Sequence, residues 1–251
     1  MSAPEIDSAP SPLGETDWLE SLAKLRELAE EHAKVCKLPE CERCDRYLCA
    51  DGCGTRVPSR FRRCDACAKD RGLARWRAMV PPEHVDVKFS SPLLGKLIAP
   101  EVLELLDVPP GELRPRVTLL GDAGAGKTSL AVAILRRNLV KHGGELFVKA
   151  PALAVARSLH PLGQGEAPLV AQALSTRFLV LDELGLESSQ PAHASLIGEV
   201  IDTRHAARLP TVVTSGLTDK EIGARYGGGI ARRLFEDALV LRLKKRAEVK
   251  P

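Results

Sequence analysis

Residues 121 to 128 read Gly-Asp-Ala-Gly-Ala-Gly-Lys-Thr, a full match to GxxxxGK[ST], and this stretch constrains the fold more than any other. Such a loop works only between a strand and a helix. Both are legible: the apolar run Val117 to Leu120 precedes it, and the helical pattern Ser129 to Arg137 follows. Glycines let the loop curl so that successive backbone N–H groups point inward at phosphates, and the helix N-terminus beyond adds a favourable dipole. Gly121, Asp122, Ala123, Gly124, Ala125, Gly126, Lys127, Thr128 and Ser129 are therefore the candidate phosphate-binding residues. Lys127 would bridge the β- and γ-phosphates, and Thr128 would offer its hydroxyl to Mg²⁺.

Beyond Gly111 the elements alternate, as a parallel sheet covered by helices requires. Strands are predicted at Val117 to Leu120, Glu145 to Val148, Arg177 to Leu181, Thr211 to Thr214 and Ala238 to Leu243. Helices are predicted at Lys127 to His142, Ala152 to Leu159 with Leu169 to Leu174, Pro191 to Ala207, Lys220 to Tyr226 and Ile230 to Glu236. The fold class is α/β, a five-stranded parallel sheet between helices. Phe178-Leu179-Val180-Leu181 suits a strand buried on both faces, and Asp182-Glu183 stand at its C-terminal end, where ligands sit in open α/β sheets. Asp182 would hold Mg²⁺ through water, and Glu183 would orient and polarise an attacking water. That assigns hydrolysis. The alternative, a small-molecule P-loop kinase, needs no water-activating Glu, because its nucleophile comes with the acceptor.

All seven cysteines fall between Cys36 and Cys67, a clustering that argues metal over disulfides in a reducing compartment. Cys49-x3-Cys53 and Cys64-x2-Cys67 form two thiolate pairs that can close a tetrahedral Zn²⁺ site. Cys41-x2-Cys44 competes for either role, and with His32 and Cys36, at i, i+4 on one helix face, it would make a second site. One zinc or two both remain open. Residues 1–36 carry eight acids against Lys24, Arg26 and Lys34, whereas 37–77 carry eleven bases against six acids. Arg56, Arg60, Arg62, Arg63, Lys69, Arg71, Arg75 and Arg77 with Trp76 would form a phosphate-binding rim around the metal, with a solvated charged face as the alternative.

Four segments are expected. Residues 1–15, rich in Pro, Ser and Ala, read as a flexible tail, and 16–79 as a helix, Thr16 to about Val35, followed by the zinc module. A linker with one helix, Pro100 to Leu106, spans 80–111 after the break at Val80-Pro81-Pro82, and 112–251 form the nucleotide domain. No apolar run approaches the ~18 to 20 residues that span a bilayer, and the N-terminus lacks signal-peptide regions, so the expected location is cytoplasmic, with no membrane partner.

From Val80 to Leu243 the sequence resembles the AAA+ ATPases of the bacterial and phage replicative-helicase loaders, the DnaC family, with their relatives the IstB-type transposition helpers. Five stretches carry it: Val80-Pro81 leading to Phe89; Gly121 to Thr128; Leu181-Asp182-Glu183-Leu184-Gly185; Thr203-Arg204-His205 followed by Thr211 to Thr218; and Ile230-Ala231-Arg232-Arg233-Leu234. The resemblance implies an AAA+ ATPase that binds and hydrolyses ATP with Mg²⁺, with a hexameric replicative helicase and single-stranded DNA as partners and self-assembly through the ATP site. The IstB-type alternative implies duplex DNA. It also places Arg233 at the arginine-finger position, with Arg232 as the alternative; a finger offsets charge that develops in phosphoryl transfer. Zinc-bearing N-terminal domains in some loaders sit at the helicase contact, so docking competes with DNA for the basic rim. Relatives usually carry Asn where this chain has Gly216. Either Thr214 or Ser215 would take over the positioning of the lytic water, or turnover would be slow. Little chain follows Leu243, so the helical lid of many AAA+ proteins is not expected.

Overall fold

A computed structural model describes residues 24, 27, 28, 31, 34, 40, 41, 46–48, 50–53, 55–57, 64–109, 112–139, 144–236 and 238–244. The chain divides into two compact units, Met1–Arg71 and Gly72–Pro251. In the first, Lys24, Glu27, Leu28, Glu31 and Lys34 are helical, within the span predicted for the N-terminal helix. Strands β1 (Glu40–Cys41), β2 (Arg46–Leu48) and β3 (Arg56–Val57) pair antiparallel in that order, with Glu40 opposite Tyr47 and Leu48 opposite Arg56. Strands of two or three residues are too short for alternation to show in a sequence, so the segment reads as irregular.

Helix α1 spans Asp65–Met79. The second unit takes up the chain at Gly72, ahead of the break expected at Val80. The reason is packing: Trp76, Val80 and Val87 are buried in the same core as Leu94, Ile98 and Leu106. Trp76 Nε1 donates to the Val85 carbonyl at 2.8 Å, and the Arg136 guanidinium lies 5.9 Å from the Trp76 ring centroid. The expected linker also holds a 3-10 turn (Pro82–His84) and a second short helix, α2 (Pro92–Leu97), before α3 (Pro100–Leu106).

The central sheet is five-stranded and wholly parallel. Its strands are β4 (Arg116–Gly121), β5 (Glu145–Lys149), β6 (Phe178–Leu184), β7 (Thr211–Ser215) and β8 (Leu239–Leu243), in the spatial order β5-β6-β7-β4-β8. Period-two alternation divides their side chains between two cores. Val117, Leu119, Val180 and Val212 face the core shared with α4 (Lys127–Arg137). Leu120, Leu179, Leu181 and Val213 face the other, with α5 (Ala150–Leu159), α6 (Pro168–Ser175), α7 (Pro191–Ala206), α8 (Asp219–Tyr226) and α9 (Gly228–Phe235). Helix α4 ends at Arg137, short of the predicted His142, because Asn138 donates its side-chain amide back to the Ile134 carbonyl at 2.8 Å.

Arg204 is buried in the core. Its guanidinium donates to Thr211 Oγ1 (2.9 Å) and to the carbonyls of Ala173 (2.9 Å), Thr176 (2.8 Å) and Pro210 (2.7 Å), fastening α6 and α7 to the start of β7. Burial lowers its pKa to about 10. Among the described residues no helix is long and apolar enough to cross a membrane.

Candidate functional site

The switch point of the sheet, where β4 lies between β7 and β8, carries the glycine-rich loop at its C-terminal end. Gly121 opens the loop with φ +146°, and a Cβ there would collide with the main-chain carbonyl of Leu243 on the adjoining strand. Gly126 closes it at φ +86°, in the left-handed region, and caps α4. Lys127 folds back over the loop and donates from Nζ to the carbonyls of Gly121 (2.6 Å) and Asp122 (2.9 Å). Burial lowers its pKa, against the attraction of the Asp182 and Asp122 carboxylates. Ser129 is buried in the first turn of α4, its hydroxyl 3.4 Å from His84 Nδ1.

The acid pair stands beside this loop. Asp182 is fully buried, and Thr128 Oγ1 lies 3.1 and 3.2 Å from its two carboxylate oxygens. A hydroxyl and a carboxylate held together are the oxygen donors that Mg²⁺ takes, so these residues fit the ion that the motif implies. Burial pushes the Asp182 carboxyl above the usual carboxylate range, opposed by the hydrogen bonds from Thr214 and Thr128.

Next to Asp182 the register between β6 and β7 slips: Leu181 pairs with Val213 but Leu184 with Ser215, which leaves one extra residue on β6. Glu183 sits in that bulge with φ +59°, a strained conformation for a non-glycine residue and one that concentrates at functional sites. The bulge re-aims its carboxylate out of the sheet, where Glu183 Oε1 meets Lys149 Nζ at 3.0 Å. That hydrogen bond is the main cause of a raised Lys149 pKa.

Thr214 has a role here that the sequence reading did not give it. Its hydroxyl donates to Asp182 Oδ1 at 2.6 Å and accepts the Glu183 N–H at 3.0 Å, so it holds the acid pair. Ser215 is likewise engaged, donating to the Leu184 carbonyl at 2.7 Å. The two hydroxyls that would stand in for an Asn at Gly216 are thus both hydrogen-bonded at the ends of β6 and β7. Neither strand's sequence signals this contact, which arises only when β6 and β7 lie side by side.

Arg233 does not join this group. On α9 it pairs through Nε with Asp202 at 2.5 Å and donates to the Gly229 carbonyl at 2.9 Å. It lines a small crevice with Arg116, Val117 and Thr211, at the N-terminal ends of β4 and β7 and so away from the loop of its own chain. Arg232 is exposed and lies 3.7 Å from Glu236.

In the first unit the Sγ atoms of Cys53, Cys64 and Cys67 lie within 4.8 Å of one another, with Cys53 and Cys64 3.5 Å apart. The start of α1 brings the second pair together, since Cys64 accepts the Ala68 N–H through its carbonyl (2.9 Å) and the Cys67 N–H through its sulfur (3.5 Å). The Cys53 thiol is lowered to about 6, first by the Thr55 hydroxyl. His32, Cys36, Cys44 and Cys49, and the side chain of Cys41, lie outside the described residues, as do Arg60, Arg62 and Arg63 and the Arg56 side chain. Two members of the expected basic rim are otherwise employed: Arg71 pairs with Asp51 at 2.5 Å, and Arg75 with buried Glu145 at 2.7 Å. Trp76 is buried in the core, which removes it from that rim.

Comparison with known proteins agrees with this geometry. The family model described as IstB-like ATP binding protein matches residues 101–250, more than half of the chain. The replicative helicase loader DnaC of Escherichia coli (strain K12) is 23% identical over 116 residues, 45% of this chain and 47% of that protein. The chain thus spans about half the length of the curated relatives it matches. A crystal structure of the DnaC helicase loader superposes with a TM-score of 0.54 at 22% identity, covering 65% of this chain and 100% of that one. A crystal structure of DnaI gives 0.50 at 22% identity, covering 66% and 95%. These likenesses establish the α/β P-loop fold.

Proposed function

The chain belongs to the IstB-like ATP binding protein family, and from that premise we propose that it hydrolyses ATP to drive loading of a hexameric replicative helicase onto single-stranded DNA. The observation that carries hydrolysis is the convergence on one loop of Thr128, Asp182 and the bulged Glu183. In this reading Lys127 exchanges the carbonyls of Gly121 and Asp122 for the β- and γ-phosphate oxygens, and the loop N–H groups bind the remainder. Thr128 and Asp182 would hold Mg²⁺, which offsets charge on the phosphates when bound. Glu183 orients a water, whose oxygen attacks the γ-phosphorus as the bond to the β-phosphate oxygen breaks. The proton passes to the Glu183 carboxylate, and ADP and phosphate leave. The Lys149 ion pair is solvent-exposed, of a kind worth about 0–1 kcal/mol, so Glu183 can leave it at little cost.

The helicase assignment draws on the names of the relatives: DnaC is described as a replicative helicase loader, in sequence and in structure. The resemblance to the IstB-type helpers gives a second reading, a transposition helper acting on duplex DNA. Two experiments separate these claims. Lys127→Ala should abolish ATP binding, whereas Glu183→Gln should bind ATP and Mg²⁺ normally yet turn over about 100-fold more slowly or worse; wild-type turnover in Glu183→Gln would remove Glu183 from the mechanism. Size-exclusion chromatography of the chain with the hexameric helicase of its own host, with ATP and single-stranded DNA, should give a joint complex. Failure there combined with ATP-dependent binding of duplex DNA would favour the transposition reading.

We also infer that Cys53, Cys64 and Cys67 hold zinc together with Cys49, because three thiols that converge in this way form most of a tetrahedral site. Metal analysis after reducing purification should find at least one zinc per chain, and chelation should unfold residues 36–71, within the first unit, while sparing ATP binding. Less than half an equivalent of zinc would sink this reading.

A further inference from the structure

Four residues beyond Glu183, the side chain of Glu187 is wholly buried. Burying a carboxylate is unfavourable unless donors surround it, and here they do. Gly185 N–H donates to Oε2 at 3.0 Å, and Oε1 accepts from Arg225 Nε at 2.9 Å and from the Tyr226 hydroxyl. The Arg225 guanidinium also reaches the main-chain carbonyls of Glu187 and Ser188. Helix α8 thus grips this residue by side chain and backbone together.

What it grips is the turn that leaves β6 directly after the acid pair. Leu186 N–H closes that turn on the Glu183 carbonyl at 3.1 Å, and Ser215 Oγ holds the Leu184 carbonyl. Gly185 has φ +102°, and a Cβ there would press on the Leu217 side chain, so the turn is confined to one path. A turn that merely reversed the chain could place a carboxylate in solvent. A buried ion pair adds little stability over apolar residues of similar volume, and its attested use is to select one geometry. The geometry selected here is that of the residues next to the strained Glu183. Helix α8 then continues through Gly227 into α9, which carries Arg232 and Arg233.

We propose that Glu187, held by Arg225 and Tyr226, is a positioning residue that aims the Glu183 carboxylate and makes that aim depend on α8. The proposal rests on the hydrolytic reading of Glu183 for its catalytic consequence, but its structural core can be tested apart from it. The mildest perturbation is Tyr226→Phe in the full chain, which removes one donor and keeps the ring; Glu187→Gln is the stronger one. For both, ATP affinity, turnover and amide hydrogen exchange over residues 183–188 should be measured against wild type. Tyr226→Phe should bind ATP within about twofold of wild type and turn over roughly tenfold more slowly, the expected effect of one lost hydrogen bond to a charged group. Its 183–188 amides should exchange faster by a similar factor, and Glu187→Gln should exceed it in both respects.

Unchanged turnover in folded Tyr226→Phe and Glu187→Gln would overturn the proposal. So would a parallel fall of affinity and turnover, which marks general loosening. If wild type binds ATP without hydrolysing it, the hydrolytic reading alone fails. Exchange then decides the clamp: unchanged protection at 183–188 in both variants overturns it, and faster exchange confined to that turn supports it.

Discussion

Replacing Thr214 by valine keeps nearly the same shape and deletes one hydroxyl that serves both members of the acid pair. That hydroxyl donates to Asp182 Oδ1 at 2.6 Å and accepts the Glu183 N–H at 3.0 Å, and Thr214 is buried. A hydrogen bond to a charged group contributes about 1.5–3 kcal/mol, and a donor left without a partner costs about 1–3 kcal/mol. The expected loss at neutral pH is therefore roughly 3–4 kcal/mol, or a melting temperature lower by about 10 °C for a unit of this size. It should be measured by urea and thermal unfolding.

The pH dependence supplies a stricter test. Burial already raises the Asp182 pKa, and the Thr214 hydroxyl works against that shift by favouring the charged form. A carboxyl raised in the fold gives stability that is complete below its unfolded pKa, about 3.9, and is lost as pH rises through the folded value. Valine raises Asp182 further. The cost of Thr214→Val should consequently be largest at neutral pH and shrink as the solution is acidified towards pH 4, while Mg²⁺-dependent ATP binding loses its acid limb at a higher pH than in wild type. A loss below about 1 kcal/mol at pH 7, or one independent of pH, would refute the assignment of Thr214 as the support of the acid pair.

Arg204→Met should cost more than about 3 kcal/mol in urea unfolding, since four acceptors, three of them in buried bonds, lose their donor at once; Lys should not restore the loss, having no planar fork, and a cost under about 1 kcal/mol would contradict this. Arg233→Ala should leave ATP affinity of the isolated chain unchanged, because Arg233 stands away from its own loop. Mixing Arg233→Ala with Lys127→Ala chains should restore turnover under conditions where wild type assembles, as each composite site would then draw one residue from each neighbour; a mixture as inactive as its parts would exclude Arg233 as a finger.

The strand, loop and helix around Gly121 were legible from the residues alone because each depends on local properties. Val117, Leu119 and Leu120 make a buried strand, glycines permit the left-handed curl at Gly126, and Lys127-Thr128 begin a helix whose N-terminus faces the loop. The same holds for β6, whose apolar run announces burial on both faces and whose Asp182-Glu183 end lies at the ligand edge of the sheet. Clustering of cysteines is equally local, and three of them do converge.

Tertiary structure decided what depends on partners distant in sequence. The β6–β7 slip that turns Glu183 out of the sheet joins residues 31 apart in sequence, Glu183 and Thr214, and leaves no mark in either strand. That Thr214 supports the acid pair shows only once β7 lies beside β6 and sets its hydroxyl against Asp182. Trp76 reads as part of a basic surface until Val80, Val87 and Arg136 enclose it, which carries the start of the second unit back to Gly72. Nothing in the neighbouring residues marks Arg204 or Glu187 as buried, since either is buried only when carbonyls or donors from other elements surround it. Charge burial depends on the whole assembly of neighbours, whereas turn, strand and helix preference depend on a few adjacent residues.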